Sequence, residues 1–147
     1  MALPDQTHWT EAEYLAFERE SDTKHEFIDG QVRAMAGASR NHTLITASIF
    51  MVLGVQAQRA GCRVFSSDMR VHLPDRGNYA YPDATIVCDE PRYLDDTFDT
   101  LTNPTIVIKV LSPGAEHLDR GTKAASYRQI ASVQDRSICS ALWIKRK

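Results

Sequence analysis

Two apolar stretches decide the reading of this chain: Tyr81-Pro82-Asp83-Ala84-Thr85-Ile86-Val87-Cys88 and Thr105-Ile106-Val107-Ile108-Lys109-Val110-Leu111. Each is short and rich in β-branched residues, so each reads as a buried strand. Each also carries one ionisable group that its pattern does not require. Pro82 has no N–H to donate, so the first strand cannot extend backwards past it, and Asp83 is fixed where the strand enters the core. Acids capping strand ends are common, so this alone says little. Lys109 shares a face with Val107 and Leu111. An ammonium there must snorkel, pair, or face a polar cavity. A strand whose centre borders solvent would explain it equally well. On neighbouring strands, Asp83 and Lys109 would be placed to form an ion pair.

Outward from these strands the elements alternate. Thr10 with Glu13 is a capping box ahead of Tyr14, Leu15 and Phe17, which predicts a helix over 11–20. His25 to Ile28 reads as a strand, Asp29-Gly30 as a tight turn, and Gln31 to Ala36 as the returning strand. Ser39 can cap a second helix, and Gly61 can stop it. Leu44, Ile45, Ala47, Ile49, Val52 and Val55 are poorly separated by face, which predicts a well-buried helix. Cys62 to Ser66 is a short strand. Met69, Val71 and Leu73 alternate with Arg70 and His72, which predicts a strand with one buried and one polar face. Pro74 to Asn78 reads as a turn, an acidic loop follows Cys88, and residues 116–131 read as a last helix. The expectation is an α/β domain with a mixed sheet flanked by helices.

The bulk properties bound the function classes. At 147 residues, with 43% hydrophobic and 24% charged, the chain reads as one ordinary globular domain. The three cysteines, Cys62, Cys88 and Cys139, contain no C-x-x-C pair. That argues against a disulfide framework and against a cysteine-type zinc site, and it fits a reducing cytosol. The N-terminal stretch is acidic, with no basic region followed by an apolar one, so a signal peptide is not expected and a cytoplasmic location is. The longest nearly apolar stretch, Ile49 to Val55, is too short to span a bilayer. The net charge of -2 hides an asymmetry: residues 1–31 balance to -6, 32–88 to +3, 89–99 to -4 and 100–147 to +5. A basic C-terminal third permits a polyanion partner, although a solvated face would look the same.

The remaining candidates are single residues. Lys123 and Tyr127 lie four apart and share a face of the last helix, near Arg120. Glu26 alternates with Phe27, the ordinary place for an exposed acid. Asp68 and His42 are similar, and His42, in the first turn of a helix, reads as a surface histidine. The chain contains no G-x-G-x-x-G, Walker-A lysine, H-E-x-x-H or G-x-S-x-G motif.

The order of these pieces resembles the bacterial putative restriction endonuclease family, whose core is the PD-(D/E)XK nuclease fold. The resemblance covers about residues 10–134. It runs through the first helix, Glu26 with Asp29-Gly30, Ser67-Asp68, Tyr81-Pro82-Asp83, Val107-x-Lys109-Val110-Leu111-Ser112-Pro113, and Asp119-Arg120-Gly121-x-Lys123-x-x-x-Tyr127-Arg128. It implies Mg²⁺- or Mn²⁺-dependent hydrolysis of DNA phosphodiesters. Asp83 and Glu26 would hold the metal, Lys123 would act on water or phosphate, and Arg120, Lys123 and Arg128 would face DNA. A hard cation polarises phosphate and lowers the pKa of an attacking water, which is the chemistry such carboxylates serve.

This chain departs from the pattern twice. The second acid of the metal pair should stand where Lys109 stands. Opposite unit charges at ~4 Å attract by about 4 kcal/mol at an effective dielectric of ~20, and the substitution reverses that sign against a divalent ion. A catalytically inactive relative that binds DNA or protein is therefore the competing expectation. The second departure is a divergent basic tail over 135–147. Ile138, Ser140, Leu142 and Ile144 share one face of an extended chain there and would supply a substitute strand. An open sheet edge would favour a homodimer.

Overall fold

The computed structural model describes residues 5–74, 76–110, 123–127, 129–130 and 141–144. Helix α1 spans Glu11–Glu20, and both halves of its capping box are made: the Glu13 N–H donates to Thr10 Oγ1 at 3.3 Å and the Thr10 N–H to Glu13 Oε2 at 2.8 Å. Strands β1 (His25–Ile28) and β2 (Gln31–Ala34) form the expected hairpin. Its turn places Asp29 at φ 51° and Gly30 at φ 78°, the double positive φ of a twist-matched two-residue turn. A Cβ on Gly30 would also meet the exposed His8 ring at 2.3 Å, so the ring would have to swing aside, and it is the positive φ that calls for glycine there.

Ser39 caps the next helix, its Oγ accepting from the His42 N–H at 3.2 Å. That helix is α2 (Arg40–Ile49), continued by a π-helical turn (Phe50–Gly54) and by α3 (Val55–Arg59). Strands β3 (Arg63–Ser66), β4 (Arg70–Leu73), β5 (Asn78–Ala80), β6 (Ala84–Val87), β7 (Thr100–Leu101) and β8 (Ile106–Val110) follow. A short helix α4 (Ala124–Tyr127) and strand β9 (Ala141–Ile144) complete the described elements. Most of the expected last helix, and Leu111, Arg120 and Arg128 with it, lies outside the described residues. Of the extended segment expected in the tail, Ala141–Ile144 form β9, while Ile138 and Ser140 lie outside the described residues.

The strands divide between two sheets, ordered β2-β1-β5-β4-β7 and β3-β6-β8-β9. Both are mixed: β4 with β7 and β8 with β9 are parallel pairs among antiparallel neighbours. Val71, Leu73, Ala80 and Leu101 of the first sheet meet Val87 and Val107 of the second in a shared core. On the outer side of the first sheet, Trp9, Tyr14 and Phe17 pack α1 against Phe27 and Tyr79. On the outer side of the second, Ile45, Ile49, Phe50 and Leu53 pack against Ala84, Ile86, Ile108 and Val110. The order of layers is thus helix, sheet, sheet, helix. Among the described residues no helix is long and apolar enough to cross a membrane.

Four expectations need correction. Arg70 does not lie on a solvated face; it is buried, because its sheet is covered on both sides. The α2–α3 segment is not buried all round, since Leu44, Met51, Val52 and Val55 are exposed. Strand β5 begins at Asn78, the last residue of the stretch read as a turn, and β7 lies in the loop that follows Cys88. Finally, Cys62 and Cys88 are joined by a disulfide. The β3–β6 register sets Arg63 opposite Val87, so Cys62 and Cys88 fall on the next rung, with Cα atoms 4.0 Å apart. Sequence spacing could not show that, because the pairing is made by strand register.

Candidate active site

The site is built from the strand ladder upward. The Asp83 N–H donates to Ile108 O at 2.9 Å, continuing the antiparallel β6–β8 pairing in which Ala84 lies opposite Ile108. The Asp83 side chain then turns back, and its Oδ2 accepts from the Val110 N–H at 2.6 Å. The carboxylate thus supplies an acceptor for a strand N–H at the point where Pro82 ends the ladder. This holds a charged group at the strand end, almost fully buried.

Lys109 stands on the same sheet face, with Nζ 3.6 Å from Asp83 Oδ2 and 3.4 Å from the Tyr81 carbonyl oxygen, to which it donates. The ion pair explains how a lysine is kept in an apolar strand: the buried ammonium has a carboxylate and a carbonyl as partners. The other carboxylate oxygen, Oδ1, lies 3.1 Å from His42 Nε2. His42 is therefore a site residue, not a surface histidine. The cap at Ser39 fixes the start of α2, and the first turn of α2 delivers the imidazole to Asp83.

A second ion pair joins Lys123, beside α4, to Glu26 of β1. Both side chains are largely buried, so Glu26 is not the ordinary exposed acid that its alternation suggested. The fold thus gathers the sequence candidates into two acid–lysine pairs, Asp83 with Lys109 and Glu26 with Lys123. The side chain of Tyr127 lies outside the described residues. Asp68 takes no part; it pairs with Lys24 at 2.6 Å and is exposed.

The donor set around Asp83 does not fit a divalent cation. Mg²⁺ takes carboxylate oxygens, carbonyls and waters. Here one Asp83 oxygen faces an ammonium and a backbone N–H, and the other faces an imidazole nitrogen. Among the described residues no three His, Cys, Asp or Glu side chains gather as a metal cluster.

The two mixed sheets and the helices packed on their outer sides define an α/β domain, and its fold is nuclease-like by comparison with a solved structure. The crystal structure of a putative nuclease belonging to DUF820 from Anabaena variabilis ATCC 29413 shares that fold. It matches with a TM-score of 0.56 at 22% identity, over 71% of this chain and 59% of that one. The chain thus spans less than two thirds of that protein. Residues 11–138 match the Uma2 family, described as putative restriction endonuclease, and the chain belongs to that family. Two relatives come from Synechocystis sp. (strain ATCC 27184 / PCC 6803 / Kazusa). The uncharacterized protein sll1609 is 35% identical over 126 residues, covering 86% of this chain and 71% of its own length. The uncharacterized protein slr1290 is 35% identical over 129 residues, covering 88% of this chain and 67% of its own.

Proposed function

We propose that this protein is a DNA-directed member of the nuclease class in which binding outlasts cleavage. The observation that carries this reading is the Lys109 ammonium 3.6 Å from Asp83 Oδ2, where a metal's charge would otherwise balance the carboxylate. Family membership supports DNA as the partner and phosphodiester hydrolysis as the ancestral reaction. Lys123 sits beside Glu26 in the segment that also carries Arg120 and Arg128. Those three basic residues would meet the phosphates. The three groups around Asp83, Lys109, His42 and the Val110 N–H, satisfy its carboxylate without a metal ion, so hydrolysis that depends on Mg²⁺ or Mn²⁺ is weak or lost.

A second reading, a working metal-dependent endonuclease, is favoured by the same family membership. There Asp83 and Glu26 would hold Mg²⁺ and Lys123 would serve water or phosphate, once Lys109 leaves Asp83.

Fluorescence polarisation with duplex and single-stranded DNA, alongside plasmid nicking, separates the two. Our reading expects binding that persists in EDTA and weakens steeply with salt, because each neutralised phosphate releases counterion. It expects little nicking with added Mg²⁺ or Mn²⁺. Efficient metal-dependent nicking would establish the second reading. No binding to any DNA at low salt would remove both.

A further inference from the structure

Among the described residues every lysine stands beside an acid, and so do Arg19, Arg63, Arg70 and Arg76. Arg33, Arg40, Arg59 and Arg92 make no ion pair there. Two of these have a local account. Arg59 closes the last turn of α3, where a cation suits the helix dipole. Arg92 lies in the stretch 89–99, whose balance is -4. Arg33 and Arg40 have no such account, and both are exposed. Arg33 stands directly across the hairpin from Glu26, the ordinary place for a cross-strand ion pair, but Lys123 holds that carboxylate. Arg40 opens α2, the end of a helix at which a cation is disfavoured.

The two arginines lie on one segment of chain. Residues 33–42 begin opposite Glu26 of one acid–lysine pair and end at His42, whose Nε2 lies 3.1 Å from Asp83 of the other. The segment is thus a rim of the candidate site. We propose that this rim, from Arg33 to Arg40, is a track for the phosphate backbone of DNA. The proposal rests on the DNA-directed reading above and assigns it a surface on β2 and the start of α2.

Charge agrees. The chain has no acidic residue between Asp29 and Asp68, so nothing along the rim repels a phosphate. The acids of the site itself, Glu26 and Asp83, are balanced by Lys123 and Lys109. Residue type agrees too: the planar fork of an arginine fits a phosphate. Arg33 donates to Gln31 Oε1 at 2.7 Å, which leaves further N–H donors for an anion. Relief agrees as well. Between the arginines the chain reads Ala34-Met35-Ala36-Gly37-Ala38-Ser39, where Met35 is half-buried and the others are exposed. A Cβ added at Gly37 would meet nothing within 4 Å. A polymer can lie along such a rim with little side chain in its way. The segment between the arginines offers no amide side chain or charge for a base edge, and the Ser39 hydroxyl is engaged in capping α2. That favours contact with the backbone over contact with the bases.

The test is fluorescence polarisation on the full chain in EDTA, with duplex and single-stranded DNA of several unrelated sequences over a salt series. Circular dichroism confirms that each variant folds. Arg33→Gln with Arg40→Gln should weaken duplex binding roughly tenfold or more, and should flatten the slope of log affinity against log salt by about 2, one contact each. Arg59→Gln with Arg92→Gln removes the same charge and should change neither. Arg33→Lys with Arg40→Lys should recover most of the slope, because the charge returns. Arg40→Gln alone, with about half the change in slope, stands in if the double variant fails to fold. Wild-type binding that the Arg33 and Arg40 changes leave intact overturns the rim and leaves the DNA-directed reading standing. Equal losses in the two glutamine double variants overturn it as well, since net charge alone would then account for binding. A loss confined to one DNA sequence would assign the arginines to bases and overturn the backbone track. Absence of wild-type binding to any DNA at low salt removes the rim and the DNA-directed reading together.

Discussion

At the scale of single residues, the proposed loss of cleavage rests on which charge stands beside Asp83. Lys109 supplies an ammonium where a second carboxylate would complete a cation site. Lys109→Glu should therefore create affinity for Mn²⁺ and raise metal-dependent plasmid nicking, while lowering the melting temperature in metal-free buffer, because two acids then face each other. Calorimetric titration of Mn²⁺ into both forms measures the first effect directly. Equal affinity in the two would place residue 109 outside the site. Much of this was legible in the sequence: an acid behind a proline and a lysine in an apolar strand are both local departures from pattern. His42 was not legible. Its partner lies on a distant strand end, and nothing in Ser39-Arg40-Asn41-His42 distinguishes an inward imidazole from a solvated one. Glu26 was underrated for a related reason, since alternation reports which side of a strand a residue occupies and not what covers that side.

At the scale of elements, the helices and hairpin announced themselves through caps and turns, which are chemistry within a few residues. The Thr10–Glu13 box and the Asp29-Gly30 turn both formed where the sequence placed them. Strands β5 and β7 are only three and two residues long, too short for a periodic signal, and they exist because longer neighbours pair with them. Periodicity of α2–α3 failed in the other direction: an apolar outer face is indistinguishable in sequence from a buried one. The Cys62–Cys88 link closes a separation of 26 residues between two paired strands. A cross-link over a loop of that length stabilises by roughly 3 kcal/mol through the unfolded chain. Oxidised protein should accordingly melt several degrees higher than the same protein in dithiothreitol, and Cys62→Ser should melt alike in both. Alkylation with mass readout checks the premise: detecting all three cysteines as free thiols in unreduced protein would contradict the link.

At the scale of the whole molecule, a polar network around the buried Arg70 ties the first helix to the first sheet. Arg70 of β4 lies 2.9 Å from Thr100 Oγ1 and 2.9 Å from Asp99 Oδ2. Arg19 of α1 reaches the same Asp99 at 2.9 Å. The Arg70 guanidinium also lies over the rings of Tyr14, Tyr79 and Tyr81. Burial pushes the Asp99 carboxyl up, but Arg19, Thr100 and Arg70 outweigh it and hold its pKa down at about 2. An unfolded aspartate titrates at about 3.9, so between the two values the unfolded chain binds more protons than the folded one. The contribution of Asp99 is complete above that upper value and is lost as pH falls through the lower. Urea midpoints measured down the acid limb should fall in this window, and Asp99→Asn should flatten the fall while lowering stability at neutral pH. An acid limb unchanged by Asp99→Asn would show that other carboxylates govern it. No sequence pattern exposes this network, because its members come from α1, β4 and β7 and meet only when the layers assemble.

The carboxylate of Asp83 makes a bond to Val110 that a strand backbone would ordinarily make. The proposed site residue is therefore also a registration mark for the pairing of β6 with β8. A one-residue slip would turn Lys109 to the opposite face if β8 moved, or Asp83 if β6 moved, and either would leave the Val110 N–H without its acceptor. Misfolded molecules with slipped strands would then be chemically mute rather than wrongly active. Substitutions at Asp83 made to probe chemistry would also loosen the strand pairing, so their effect on activity has to be read beside their effect on amide hydrogen exchange in β8.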